Sequence, residues 1–166
     1  MMGRVLSQDE LLQLAGREGR GARRVVFTNG CFDLLHPGHI RTLEAARSLG
    51  DWLVVGVNSD RGVRALKGPE RPLVPEAERA EILAALAAVD FVVIFDEDTP
   101  REIVARLRPD ILVKGSDWGA DEIVGRAEVE ELGGRIVSMP LEPGYSTSEI
   151  LKSIRRLETL SARMHK

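Results

Sequence analysis

Two segments of this chain are apolar almost without interruption: Trp52 to Val57 reads WLVVGV and Phe91 to Phe95 reads FVVIF. A strand with one face in water alternates polar and apolar residues. A strand that does not alternate is buried on both faces, as in a parallel sheet with helices on either side. Shorter runs of the same kind recur at Arg24 to Thr28 (RVVFT), Ile111 to Lys114 (ILVK) and Arg135 to Ser138 (RIVS). Helical patterns separate them: His39 to Leu49, with Ile40, Leu43 and Ala46 on one face, Asp60 to Leu66, and the amphipathic stretch Glu76 to Ala87. Repeated strand–helix alternation predicts an α/β domain with an open, mostly parallel, doubly wound sheet. In such sheets ligands bind outside the carboxyl ends of the strands.

Helix punctuation supports this order. Ser7 and Glu10 have capping-box spacing ahead of a helix from Ser7 to Glu18 whose apolar face is Leu11, Leu12 and Leu14. Gly16, Gly19 and Gly21 then loosen the chain. Thr99 reads as a cap with Pro100 at the first helical position and Glu102 three on, and this helix ends near Leu107, before Pro109. The last helix starts after Ser146, again with capping-box spacing to Glu149, and runs through Ile150, Ile154 and Leu157. The expected organisation is a helical appendage over 1–22, one domain over 23–160 and a tail over 161–166.

Composition narrows the partners. The 166 residues suffice for one core without staples, and a formal charge of −3 does not suggest a polyanion such as nucleic acid. A small phosphorylated ligand needs only a local positive site. The single cysteine, Cys31, excludes an internal disulfide and a CxxC site. No apolar run has membrane-span length and no signal-peptide core opens the chain, so a reducing cytoplasm and small-molecule partners are expected.

The chemistry concentrates in Thr28-Asn29-Gly30-Cys31-Phe32-Asp33-Leu34-Leu35-His36-Pro37-Gly38-His39, between the first strong strand and the next helix. A helix entrance favours a phosphate through its amides and dipole. Gly30 and Gly38 permit close approach of a ligand, and Pro37 fixes the turn between the histidines. Two of the chain's three histidines fall within four residues. Chance or packing is the bland reading of such a pair. Zinc is another, but two histidines and one cysteine lack the spacing of a closed structural site. Two imidazoles aimed at a transferring phosphate fit position, spacing and chemistry best.

The His-Pro-Gly-His segment after a first strand resembles the signature of the HxGH nucleotidyltransferase superfamily, and NGCFDLLHPGH resembles its cytidylyltransferase-like branch. The strings VNSD (Val57 to Asp60), LKGPERP (Leu66 to Pro72), DEDTP (Asp96 to Pro100) and LVKGSDW (Leu112 to Trp118) resemble the adenylyltransferases of D-glycero-D-manno-heptose 1-phosphate, free-standing or as half of a two-domain enzyme. The resemblance runs from about Ser7 to Arg156 and implies a Rossmann-like fold.

It also implies a reaction in which a sugar phosphate attacks the α-phosphorus of ATP directly and pyrophosphate leaves. His36, His39 and Lys114 would be catalytic. Asn29, Gly30, Cys31, Phe32, Gly38, Gly115, Asp117 and Ser146-Thr147-Ser148 would join them in holding the nucleotide, with Trp118 beside the base and ribose. Ordinary N-capping is the competing reading of Ser146 to Ser148. Lys114 ends a buried strand, where an unpaired ammonium is costly and a phosphate would relieve it. Asp33, Lys67, Arg71 and Arg79 are expected on the acceptor side, though Arg79 would equally pair with Glu76 or Glu81 on an exposed helix face. Where many superfamily members carry Arg or Lys this chain has Leu151, which leaves the role of Lys152 open. Magnesium is expected, bound mainly through nucleotide phosphates rather than a dedicated protein site, and relatives are often homodimers.

Two other readings compete. Glycerol-3-phosphate cytidylyltransferases resemble the chain at FDLLHxGH and GxDW, against which stand Asn29, Cys31 and the LKGPERP loop. A nucleotide-binding regulator without chemistry is the reading from a different class. Length and acidity argue against a tRNA synthetase.

Overall fold

The computed structural model describes residues 3–115, 123–140 and 144–164. Six strands, β1 (Arg4–Leu6), β2 (Val25–Gly30), β3 (Trp52–Asn58), β4 (Phe91–Phe95), β5 (Ile111–Gly115) and β6 (Arg135–Met139), form one sheet in the order β1-β4-β3-β2-β5-β6. Every pairing is parallel. The helices are α1 (Gln8–Ala15), α2 (Pro37–Arg47), α3 (Asp60–Lys67), α4 (Glu76–Ala84), α5 (Arg101–Leu107), α6 (Arg126–Glu130) and α7 (Thr147–Met164).

The apolar runs divide residue by residue between two cores. Val25, Phe27, Val54, Val93 and Leu112 pack with Leu11, Ile103, Val104 and Leu107 from α1 and α5. Their neighbours Val26, Leu53, Val55, Val92 and Val113 pack on the other face with Leu43, Ala46, Ala80 and Leu83 from α2 and α4. Burial on both faces is what removes the alternation from the sequence. Each fully buried Val, Leu or Phe contributes roughly 1.5–3 kcal/mol. This is the Rossmann-like, doubly wound α/β architecture expected.

β2 lies between β3 and β5, so the chain leaves it on one side and returns on the other. The carboxyl ends of β2 and β5, Asn29-Gly30 and Lys114-Gly115, flank that reversal. A crevice at such a reversal is where this architecture takes ligands.

Local differences from expectation have local causes. The Ser7–Glu10 capping box forms, but α1 stops at Ala15, where Gly16 follows in an extended conformation. Ahead of it, Arg4–Leu6 joins the sheet edge beside β4, an element too short to leave a period in the sequence. α6 also went unread. The glycine-rich stretch is pinned, because Arg20 is buried and donates to the Arg108 carbonyl and the Asp110 carboxylate, both at 2.9 Å. α5 starts at Arg101 with Pro100, not Thr99, at its N-cap, one residue later than the capping pattern suggested.

Candidate active site

β2 delivers the site and α2 opens it. His36 is the N-cap of α2, with Pro37 inside the first turn, and its carbonyl accepts from the His39 amide at 2.9 Å. This turn stacks the two imidazoles, with centroids 3.8 Å apart and planes 22° from parallel. Phe32 covers His39 from 5.3 Å. To do so Phe32 adopts φ 47°, and its ring edge lies where a Cβ on Gly30 would sit, 3.1 Å away. Gly38 is equally constrained: an added Cβ would be 3.1 Å from His36 Nδ1 and 3.2 Å from Tyr145 Cβ.

The Nδ1 atoms of His36 and His39 are both buried and have no hydrogen-bond partner among the described residues. Buried polar atoms are nearly always satisfied, so two orphans side by side mark a place built for something else to bind. Burial lowers the pKa of His36. Burial, with His36 adding to it, lowers that of His39 to about 4. Both rings are therefore neutral at pH 7.

At the strand reversal, the Lys114 ammonium donates to Asn29 Oδ1. Burial lowers its pKa to about 8. The group is still mostly charged at pH 7, desolvated and held by one neutral acceptor, a state an anionic ligand would relieve. The start of α7 reaches the loop that carries the histidines. Thr147 Oγ1 donates to the Leu34 carbonyl at 3.1 Å, and Ser146 Oγ caps the helix by accepting from the Glu149 amide at 3.1 Å. Ser148 is exposed, and Lys152 is exposed and pairs with Glu149 at 2.7 Å. Asp117 and Trp118 lie outside the described residues.

The expected acceptor residues part company. The Asp33 carboxylate, 1% exposed, accepts from Arg71 Nε at 2.5 Å and from the amides of Leu73 at 2.8 Å and Val74 at 2.9 Å. Burial works to raise its pKa, but the two amides and Arg71 outweigh burial and leave it below the ordinary carboxylate value. Arg79 does not lie on an exposed helix face beside Glu76 or Glu81. It is 1% exposed and its donors are taken: Nε by the Val74 carbonyl at 2.9 Å, Nη1 by the Cys31 carbonyl and Nη2 by Asp60 at 2.8 Å. The guanidinium turns inward because three acceptors, from two loops and the start of α3, converge there. Asp33 and Arg79 thus stitch residues 71–74 to residues 31–33, and of the four only Lys67 stands exposed. Burial raises the pKa of the half-buried Cys31 thiol, which disfavours thiolate chemistry at neutral pH.

A family model described as cytidylyltransferase-like matches residues 27–153, from mid-β2 into α7. The chain belongs to the cytidylyltransferase-like family. Among its relatives in that family, the bifunctional protein HldE of Koribacter versatilis (strain Ellin345) is 54% identical over 149 residues, which are 90% of this chain and 31% of that protein. The bifunctional protein HldE of Syntrophotalea carbinolica (strain DSM 2380 / NBRC 103641 / GraBd1) is 57% identical over 137 residues, 82% of this chain and 28% of that protein. The chain thus spans under a third of the length of these relatives. A solved lipopolysaccharide core biosynthesis protein from Thermoplasma volcanium GSS1 matches with TM-score 0.59 and 30% identity over 73% of this chain and 98% of its own.

Two residues beside the family's histidine motif escaped sequence reasoning. Tyr145 stacks at 6.4 Å on His36 and carries the Arg41 guanidinium 5.4 Å from its ring centre. Its signal was the Pro143-Gly144 pair, which places it at the turn into α7. Asp60, in the VNSD string, is the ion-pair partner of Arg79 and had no role assigned. No described helix is long and apolar enough to cross a membrane.

Proposed function

We propose that this chain is an adenylyltransferase that joins AMP from ATP to a sugar 1-phosphate, D-glycero-D-manno-heptose 1-phosphate, with release of pyrophosphate. The observation that carries the proposal is the stacked His36–His39 pair, with its two orphaned buried nitrogens at a helix entrance beside the strand reversal. The HldE relatives and the lipopolysaccharide core protein support the heptose acceptor over a glycerol phosphate.

In this reading a phosphate oxygen of the acceptor attacks the α-phosphorus in line. The bond to the bridging oxygen of the β-phosphate breaks as the new one forms, and no covalent enzyme intermediate arises. His36 and His39 donate to α- and β-phosphate oxygens as charge develops there. Lys114 and the Ser146–Thr147–Ser148 helix start hold the departing pyrophosphate. Magnesium would screen the triphosphate. Among the described residues no group of three or more His, Cys, Asp or Glu is arranged for a metal, so its ligands would come mainly from phosphate oxygens. An ATP-consuming reaction and a lone free thiol support a cytoplasmic location.

A pyrophosphate-release assay pairing ATP or CTP with heptose 1-phosphate and glycerol 3-phosphate tests this. Release with ATP and the heptose phosphate, abolished in His39→Ala, is expected. Preference for CTP with glycerol 3-phosphate would replace the reading by a cytidylyltransferase. ATP binding without release for any acceptor would make the chain a nucleotide-binding regulator.

A further inference from the structure

A second cleft opens at the carboxyl ends of β3 and β4, between α3, the start of α4 and the turn after β4. Its volume is about 550 Å³, and its walls include Ser59, Asp60, Arg64, Glu76, Asp96 and Glu97. None of these residues belongs to the phosphate machinery. One guanidinium separates the cleft from the strand that leads to the histidines, because Arg79 bonds Asp60 through Nη2 and the Cys31 carbonyl through Nη1.

The charges of the cleft are largely spent internally. Arg61 pairs with Asp96 and Asp98, and Asp60 pairs with Arg79. The cleft therefore lacks the excess positive charge that would draw a triphosphate, and among its lining residues only Ile94 offers an apolar surface to a base. Asp96 is fully engaged by Ser59 and Arg61, but Asp60 and Glu76 each commit one oxygen: Asp60 Oδ1 to Arg79, and Glu76 Oε2 to the Asp60 amide at 2.6 Å. The second oxygen of each remains to accept a hydroxyl proton. Glu97 Oε2 is buried with no hydrogen-bond partner among the described residues. The exposed Arg64 side chain lines the cleft and supplies guanidinium donors. Carboxylate acceptors beside a guanidinium, without excess positive charge or extended apolar walls, suit a neutral polyhydroxylated ligand.

We infer that this cleft holds the hydroxylated part of the acceptor sugar while its phosphate reaches past Arg79 towards the histidines. The inference rests on the sugar-phosphate reading above and adds where the sugar is read. Glu76 and Arg64 are then the residues that set acceptor choice.

The test measures acceptor KM, ATP dissociation constant and kcat for the intact chain, Glu76→Gln and Arg64→Ala, with heptose 1-phosphate and with glycerol 3-phosphate. Glu76→Gln keeps a carbonyl for the Asp60 amide and turns the other oxygen into a donor. Arg64 is exposed, so its truncation leaves the core intact. Both variants are expected to raise heptose-phosphate KM by about tenfold, the scale of one lost hydrogen bond to a charged group. ATP affinity stays within about twofold, and any weak use of glycerol 3-phosphate is unchanged. Unchanged heptose-phosphate KM in both variants overturns the cleft assignment and leaves the adenylyltransferase standing. Loss of ATP affinity alongside acceptor affinity also overturns it, since a merely structural role would do that. A wild-type chain that neither turns over nor binds any sugar phosphate, by calorimetry, overturns both.

Discussion

Asp33 and Arg71 close an ion pair at 2.5 Å that ties the loop after α3 to the loop after β2, three residues ahead of His36. Asp33→Ala removes the acceptor for Arg71 and for two backbone amides, and is expected to cost about 2 kcal/mol in urea unfolding. Because the native carboxyl has a lowered pKa, its contribution is fully present above the unfolded value of about 4 and is lost as pH falls below it. The stability difference between wild type and variant should therefore persist at pH 7 and shrink only below about pH 4. A constant difference down to pH 2 would show that the carboxylate charge is not what holds the loop.

Lys114 should set the basic limb of activity. Its pKa of about 8 means that the free protein loses this charge as pH rises through 8. kcat/KM for ATP is expected to fall above that pH, while kcat at saturating ATP holds further because bound phosphate stabilises the ammonium. Lys114→Arg keeps its charge and should move the limb out of range. The sign for folding is opposite: burying the charged form is penalised, so stability rises as pH climbs from about 8 towards the unfolded value of about 10.4.

His39 makes the complementary prediction in acid. The unfolded chain protonates this ring below about 6.5, while the native ring stays neutral to about pH 4. Stability should decline as pH drops through that window, and His39→Gln should flatten the slope. The same substitution is expected to lower kcat by about 10²–10³ at pH 7 with the fold intact by circular dichroism. Near-normal turnover would remove the imidazole from the chemistry.

Gly38→Ala tests the stacking itself. Its Cβ would press on His36 Nδ1 and Tyr145 Cβ at 3.1 and 3.2 Å, so the ring pair or the turn into α7 must shift. Turnover is expected to drop at least about tenfold with little change in melting temperature, since neither neighbour is part of the core. A fully active variant would show that the stacking tolerates displacement.

The sheet was legible because its strands are buried on both faces, and Trp52–Asn58 and Phe91–Phe95 stand within a residue of their expected bounds. β1 was not, since three residues with two exposed leave no periodicity. The histidine pair was legible from its spacing and its place after a strand. The burial of Arg79 was not, because its acceptors, Cys31, Asp60 and Val74, come from three separate stretches of chain. A charged residue on an amphipathic helix reads as surface until the loops that close over it are in view.

The stitching of residues 71–74 to residues 31–33 also sets the unit in which this loop can be exchanged between related chains. A loop transplanted over 68–74 alone would arrive without the carboxylate at position 33 and the guanidinium at position 79 that hold its backbone in place. The heritable module is discontinuous, so chimeras should be cut to carry both positions with the loop.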